Sequence, residues 1–305
     1  MKKIHLICNL TSGAGRAIQP LEKIKQWANK QENLNLNIFI TEKINHATEI
    51  TKSLTNQDQE CTIISMGGDG TLNEIVNGIV NFSKTNIGIL PYGSGNDFAR
   101  SMQVNKSDPV ATISSYINNP TIKKVDYFLL NNKYKVINAI NLGISTDINI
   151  CKSKMKRFKP ETKYKLSALK AALTWKLHSY DLSINGGKYT RIKSPWFSIA
   201  NGACVGGGII ISPNAKVDDG YISVSWLKKF NHFFTLYYFA KILKGKIGQI
   251  KPTVLFNCEE LCLKFLEKET IEFDGVLVDN QSECSVKIVH KGLNVLLDTS
   301  YKKGI

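Results

Sequence analysis

No run of apolar residues in this 305-residue chain approaches the ~20 that a helix needs to cross a bilayer. Any membrane it serves is therefore met from the side. Paired cysteines are missing as well. Cys8, Cys61, Cys151, Cys204, Cys258, Cys262 and Cys284 are scattered, odd in number and without CxxC spacing, which argues against a disulfide framework or a zinc site. Reduced, mostly buried thiols in the cytosol are the expectation. No signal-peptide core follows Met1-Lys2-Lys3-Ile4, which leads straight into a strand-like run, so a cytoplasmic location is expected. There is no internal repeat and no low-complexity linker, and the absence of a known reader motif disfavours nucleic acid as a partner. Acid is scarce: 25 Asp and Glu stand against 40 Lys and Arg, a net +15. That excess favours an anionic partner, be it nucleic acid, a phosphorylated ligand or a membrane surface, and by itself does not choose among them.

With 43% hydrophobic residues the chain can bury a normal core, and its length suits two domains. Short apolar runs at 4–8, 36–40, 62–66 and 86–90 read as strands. Helical patterns at 18–30, 46–54, 72–80 and 107–118 lie between or after them. This alternation predicts βαβ units and a doubly wound, mostly parallel sheet over residues 1–125. Beyond it the pattern changes to many short strand candidates, from 125–130 and 133–140 to 284–289 and 294–297, punctuated by Asn-Asn, Asn-Gly-Gly and Asp-Asp-Gly turn signals. Two helical patterns, 161–179 and 232–243, interrupt the series. An antiparallel β-sandwich over 126–289 is expected, and residues 290–305 are free to return to the first domain.

The strongest chemical signal is Ser65-Met66-Gly67-Gly68-Asp69-Gly70-Thr71-Leu72-Asn73-Glu74, set between a strand and a helix. Glycines at such a turn let backbone N–H groups approach a phosphate, and the helix N-terminus adds its positive dipole end. It is neither a Walker A loop, since no Gly-Lys-Ser/Thr follows, nor a GxGxxG fingerprint. A second glycine-rich turn, Leu90-Pro91-Tyr92-Gly93-Ser94-Gly95-Asn96-Asp97-Phe98-Ala99-Arg100, follows the next strand, and Asn9-Leu10-Thr11-Ser12-Gly13-Ala14-Gly15-Arg16 follows the first. All three should lie on the carboxyl edge of one sheet, where open α/β folds bind ligands.

GGDGTLNEIVNG, PYGSGNDFAR and NLTSGAGR together resemble the diacylglycerol kinase catalytic family, in particular its soluble bacterial lipid kinases, over essentially the whole chain. The resemblance implies a 6-phosphofructokinase-like nucleotide domain, a β-rich lipid-substrate domain and an active site in the cleft they form. It implies ATP contacts from Asn9, Leu10, Thr11, Ser12, Gly13 and Arg16, from Gly67, Gly68, Asp69, Gly70, Thr71, Leu72 and Asn73, and from Thr41 and Ser94. Asp69, Asp97 and Arg100 match positions needed for activity, the carboxylates holding Mg²⁺ or its waters and Arg16 and Arg100 donating to phosphate oxygens. Asp126 matches a further family aspartate. In the second domain, Lys216-Val217-Asp218-Asp219-Gly220-Tyr221 matches a segment that binds a structural Mg²⁺ through the Asp219 carboxylate and the carbonyls of Lys216 and Tyr221, although Asp-Asp-Gly is equally a hairpin turn.

One departure concerns chemistry. Where the family carries Asp-Gly-Glu, whose Glu takes the lipid hydroxyl's proton, this chain reads Asp274-Gly275-Val276, so the base is Asp274 or a residue folded in from elsewhere, or turnover is lost. Two basic tracts suit an anionic headgroup layer. Residues 152–176 carry nine Lys or Arg and one acid, Glu161, and residues 221–257 carry no acid at all while lysines flank Phe230, Phe233, Phe234, Tyr237, Tyr238 and Phe239. The expectation is an ATP- and Mg²⁺-dependent kinase for a lipid hydroxyl, diacylglycerol foremost, acting as a peripheral protein at the inner membrane face. An NAD kinase-like enzyme, which shares the GGDGT turn, and a nucleotide- or lipid-binding protein without turnover are the alternatives, and the pattern leaves a homodimer open.

Overall fold

Short runs rich in branched apolar residues build the first sheet, and their nearly continuous burial explains why it is parallel. Cys61–Gly67 and Thr85–Pro91 are buried at all but one position each, as strands covered on both faces must be. The computed structural model of the chain describes residues 2–104, 108–154, 166–167, 169–171 and 173–299. It divides into two units, Met1–Tyr127 with Val289–Ile305, and Phe128–Ile288.

In the first unit the elements run β1 (Lys2–Cys8), α1 (Ile18–Ala28), β2 (Leu34–Ile40), α2 (His46–Thr55), β3 (Cys61–Gly67), α3 (Asp69–Gly78), β4 (Thr85–Pro91), α4 (Asp97–Ser101), α5 (Pro109–Asn118) and the start of β5 (Ile122–Leu130). The strand order is β4-β3-β1-β2, all parallel, and the end of the last strand of the chain lies parallel beside β4 through Asn294 and Val295. Leu21 and Ile24 of α1 and Ile113, Tyr116 and Ile117 of α5 pack on Ile4, Leu6, Ile64, Met66 and Leu90 of the sheet. Asp126, fully buried, accepts from the Lys291 backbone at 2.6 Å and stands 2.9 Å from His290 Nδ1, which fastens the returning strand.

The second unit contains β6 (Tyr134–Val136), β7 (Ala139–Gly143), α6 (Ile144–Lys154), β8 (His178–Ile184), β9 (Thr190–Ser194), β10 (Trp196–Ala200), β11 (Cys204–Val205), β12 (Ile209–Ile210), β13 (Ile222–Leu227), α7 (Thr235–Leu243), β14 (Thr253–Cys258), β15 (Glu260–Phe273) and β16 (Val276–Leu296). Its strands pair antiparallel in the order β14-β13-β10-β7-β15, and β8 joins β15 further back along that strand, with β9 outside it. The long β15 serves both neighbours because its register slips between Lys264 and Glu269. There His178 Nδ1 meets Glu269 Oε1 at 2.7 Å, a hydrogen bond that raises the imidazole's pKa. Period-2 alternation divides the faces. Ile140, Leu142, Phe197, Ile199, Val224 and Phe273 enter an aromatic-rich core, while Asn141, Ser198, Ser223 and Ser225 point to the other face. Helix α6 replaces what reads as featureless sequence. Of the helix expected over 161–179, residues 161–165, 168 and 172 lie outside the described residues; the described positions between 166 and 174 are helical, and the last two open β8.

The Asp-Gly step that joins β15 to β16 is a two-residue hairpin turn with φ +47° at Asp274 and +87° at Gly275. The Asp274 carboxylate folds back and accepts from three backbone amides, Ile137 at 2.8 Å, Asn138 at 3.1 Å and Ala139 at 3.0 Å. A charged acceptor shared by three buried N–H groups is expensive to remove, since each would lose its partner away from water. Asp274→Ala is therefore expected to lower unfolding free energy by at least about 3 kcal/mol in urea titration, whereas loss below about 1 kcal/mol would show that the clamp is dispensable.

Candidate functional site

Three chain reversals converge at the carboxyl ends of β1, β3 and β4 in the first unit. Asn9 opens the first. Its backbone donates to Met66 O at 3.0 Å, and its side-chain Oδ1 accepts from Thr11 N, Thr11 Oγ1 and Ser12 N at 3.1, 2.8 and 3.2 Å. That side chain organises a loop that passes through Gly13 in the left-handed region, where Arg16 Nε donates to the Gly13 carbonyl at 2.7 Å. A Cβ on Gly13 would overlap the Tyr92 carbonyl, so the first and third turns touch through backbone.

The second and third turns are closer still. Gly67 O accepts from Tyr92 N at 2.8 Å and from Gly93 N at 2.9 Å. A Cβ on Gly93 would overlap Gly68 Cα, and one on Gly68 would come within 3.2 Å of Ser12 Oγ and 3.0 Å of Gly93 Cα. Asn96, itself left-handed at φ +58°, closes the third turn by pairing both ways with Gly93, at 2.9 and 2.8 Å. Gly70 differs from the others. It lies in the first turn of α3 with ordinary φ, and a Cβ there would meet nothing within 4 Å. Packing does not demand a glycine at 70. Open space over the N-terminus of a ten-residue helix is what an approaching anion needs.

Two carboxylates stand at this edge. Asp69, in the first turn of α3, accepts from Phe98 N of α4 at 3.2 Å. Asp97, buried, lies 3.3 Å from Arg100 Nη1, which also donates to Gly95 O at 3.1 Å. The Arg100 side chain is nearly half exposed, so the guanidinium is held by the third turn and still presented to solvent. A small cavity lined by Ser65, Gly68, Asp69, Leu72, Pro91 and Asn96 sits beneath. Thr41 closes the end of β2 by donating its N–H to Cys8 O at 2.9 Å. Ser94 is exposed on the third turn and Thr71 is buried in α3. Asn73, expected at the nucleotide, is buried within α3, where Asn77 Nδ2 donates to its carbonyl and its Oδ1.

The remaining expected positions lie in the second unit. Asp219 Oδ1 accepts from Tyr221 N at 3.1 Å, a tight turn with Lys216 exposed, Tyr221 exposed and Asp219 half-buried. Among the described residues no three His, Cys, Asp or Glu side chains gather as a metal-binding group. Asp274, expected as a candidate base, forms the hairpin clamp, and three backbone donors meet its two oxygens. Sequence reading missed its neighbour. Glu272, 5% exposed, accepts from Asn141 Nδ2 at 2.7 Å and from Gly275 N at 2.8 Å, and Asn141 Oδ1 accepts from Ser198 Oγ at 2.8 Å. An acid inside an otherwise apolar strand run was the signal available. The cysteines are reduced thiols, and burial pushes Cys8 up to about 11 and Cys258 to about 12, so both stay protonated.

Residues 3–130 match the diacylglycerol kinase catalytic domain, and residues 138–288 match the YegS C-terminal NAD kinase beta sandwich-like domain. A diacylglycerol kinase of Staphylococcus epidermidis is 30% identical over 249 residues, covering 77% of this chain and 75% of the relative. The chain belongs to the diacylglycerol kinase family. One of Bacillus subtilis is 24% identical over 277 residues, 90% of each chain. A crystal structure of a diacylglycerol kinase from Bacillus anthracis shares the fold with a TM-score of 0.71 at 20% identity, covering 98% of this chain and 97% of that one. An ATP complex of an NAD kinase from Archaeoglobus fulgidus superposes with a TM-score of 0.52 at 14% identity over 99% and 95%, a likeness of fold. The parallel α/β unit and the sandwich-like unit are thus those of this fold, and the chain is an ATP-using lipid kinase, a phosphotransferase. Among the described residues no helix is long and apolar enough to cross a membrane.

The glycines of the site make separable demands. Gly93→Ala forces its Cβ against backbone and should destabilise by about 1–3 kcal/mol. Gly70→Ala meets nothing and should stabilise α3 by about 0.5–1 kcal/mol. Thermal melts of the two variants check the contrast, and equal destabilisation would return Gly70 to a packing role.

Proposed function

We propose that this family member transfers the γ-phosphoryl group of ATP to the free hydroxyl of diacylglycerol, as a peripheral protein at the inner, anionic face of a cell membrane. The observation that carries the nucleotide half is the convergence of three backbone-packed turns around an open helix N-terminus, with Asp69, Asp97 and Arg100 at its rim. The names of the relatives support the acceptor. In this reading Asn9, Leu10, Thr11, Ser12, Gly13 and Arg16 flank one side of the phosphates and Gly67 to Thr71 cradle them, with Ser94 and Thr41 nearby and Arg100 donating to phosphate oxygens. Leu72 and Asn73 support the cradle from inside α3.

Mg²⁺ suits the donors at hand. Asp69 and Asp97 are hard oxygen ligands on adjoining turns, and Asp219 offers one carboxylate with the backbone carbonyls of Lys216 and Tyr221 in the same turn, a sparse set of the kind a water-rich Mg²⁺ accepts. The ion, when bound with ATP, offsets charge on the transferred phosphoryl. Asp69→Asn keeps an acceptor for Phe98 N yet removes the charge. It should leave the melting temperature unchanged and lower kcat by about 10²–10³-fold or more. Wild-type kcat in that variant would sink the assignment of the cradle. Gly70→Ala, stable as a fold, should in turn weaken ATP binding about tenfold, some 1.4 kcal/mol.

The acceptor's proton needs a carboxylate, and Val276 is not one. We assign it to Glu272 in place of Asp274. Glu272 lies on the sheet's polar face with Asn141 and Ser198, where a hydroxyl-bearing headgroup has partners, while Asp274 is committed to three amides. General-base catalysis contributes about 10²–10⁴-fold. Glu272→Gln, which retains the size and an acceptor for one of its two donors, should lower kcat by that range at neutral pH with the ATP Kd unmoved. Unchanged kcat in a radiolabelled ATP assay on diacylglycerol vesicles would mean that another group takes the proton.

A further inference from the structure

Helix α7, Thr235–Leu243, is apolar nearly all round, yet only one side of it is packed. Tyr238 and Ile242 lie against Trp196, Ile211, Leu227, Ile247 and Ile250, Phe239 lies against Ile148 and Ala171, and buried Thr235 accepts from Trp175 Nε1 at 2.9 Å. The outward stripe follows the helical period: Phe233 is 86% exposed, Leu236 53%, Tyr237 55% and Leu243 45%, with Ala240 also exposed between them. Phe233 is not a frayed end. It sits in a 3-10 turn, His232–Phe234, capped by the Asn231 side chain, which accepts from Phe233 N at 3.0 Å. An aromatic held outward by a cap, in line with three further large side chains, is a contiguous apolar patch of the kind soluble surfaces seldom keep without use.

What flanks the stripe selects its occupant. Lys228, Lys229, Lys244, Lys246 and Lys251, which flank it in the sequence, are exposed, Lys241 lies over the Tyr237 ring at 4.8 Å, and residues 221–257 hold no Asp or Glu. Lysine is depleted from protein–protein interfaces, where its hydrated ammonium must be stripped of water. In a headgroup layer the same lysines keep their water and meet phosphates, while aromatic side chains beneath them enter the acyl boundary. We propose that the outer face of α7, led by Phe233 and Tyr237 and flanked in sequence by these lysines, is the surface by which the protein docks on an anionic lipid bilayer. The proposal takes its purpose from the lipid-kinase reading and adds to it the element that makes contact. The other basic tract, 152–176, lies mostly outside the described residues.

The test is flotation of the full chain, without ATP, on vesicles of phosphatidylcholine alone or mixed in equal parts with phosphatidylglycerol. Because no turnover is read, failure of the kinase assignment leaves this outcome untouched. Wild type should bind the mixed vesicles and release them as salt rises, since exposed charges are screened within ~8 Å at physiological ionic strength. Each lysine near an anionic surface contributes about fivefold, so a Lys228→Gln, Lys229→Gln, Lys244→Gln triple variant should bind about 10²-fold more weakly. A Lys23→Gln, Lys30→Gln, Lys52→Gln triple, equal in charge and drawn from α1, α2 and the turn after α1, should bind as wild type. The tryptophan emission of a Phe233→Trp variant should shift to the blue on mixed vesicles only, and by more than that of wild type. Three outcomes would each overturn the proposal: equal loss in both triples, no blue shift in the Phe233→Trp variant beyond that of wild type, or a shift in that variant that follows protein concentration without vesicles. The last would favour a second copy of the chain as the occupant.

Discussion

Gly68 and Gly93 meet through their backbones, and the turn-bearing edge of the first sheet depends on that approach. Two turns from successive βα units can share the Gly67 carbonyl only if neither carries a side chain at the contact. Ser12, Asn96 and Gly13 then fill the space around the junction with hydrogen bonds and backbone. The result is a rim of main-chain groups in which side chains with charge, Asp69, Asp97 and Arg100, stand at fixed places. Rigidity here comes from close packing of peptide units.

The second unit is ordered by a different device. Its Asp-Gly turn adopts the left-handed pair of conformations that matches strand twist, and the same aspartate reaches back to hold the entry of β7. One short side chain thus sets both the hairpin and the neighbouring strand start. That dual duty commits the Asp274 carboxylate to backbone, whereas Glu272, two positions earlier, reaches across to Asn141 as well as back to the Gly275 amide. The sheet's two faces follow strict alternation, aromatic on one side and amide or hydroxyl on the other, so Asn141, Ser198 and Glu272 find one another on the polar side.

Much of this was legible in advance because it is local. Strands 62–66 and 86–90 carry their burial in their composition, and Gly67-Gly68-Asp69-Gly70 between strand and helix specifies a turn with few side-chain options. The Asn-Asn and Asn-Gly-Gly steps marked hairpins, and Asp-Asp-Gly a tight turn, through the left-handed φ that each contains. Helix α6 was not legible: its sequence mixes β-branched and polar residues, and its position after β7 decides its conformation. Asn73 could not be separated from its neighbours in the motif, since only the path of α3 turns it toward Asn77.

Pattern along the chain was enough for the family, the parallel order of the first sheet and the positions of three phosphate-suited turns, because glycine spacing and apolar periodicity act over a few residues. Which glycine serves packing and which leaves room emerged only on folding: Gly93 faces a peptide 25 residues earlier in the chain, and Gly70 faces open space. The fate of Asp274, the partners of Glu272 and the bare outer stripe of α7 were settled the same way. Each depends on what the folded chain brings opposite a side chain, and no local spacing of residues encodes that.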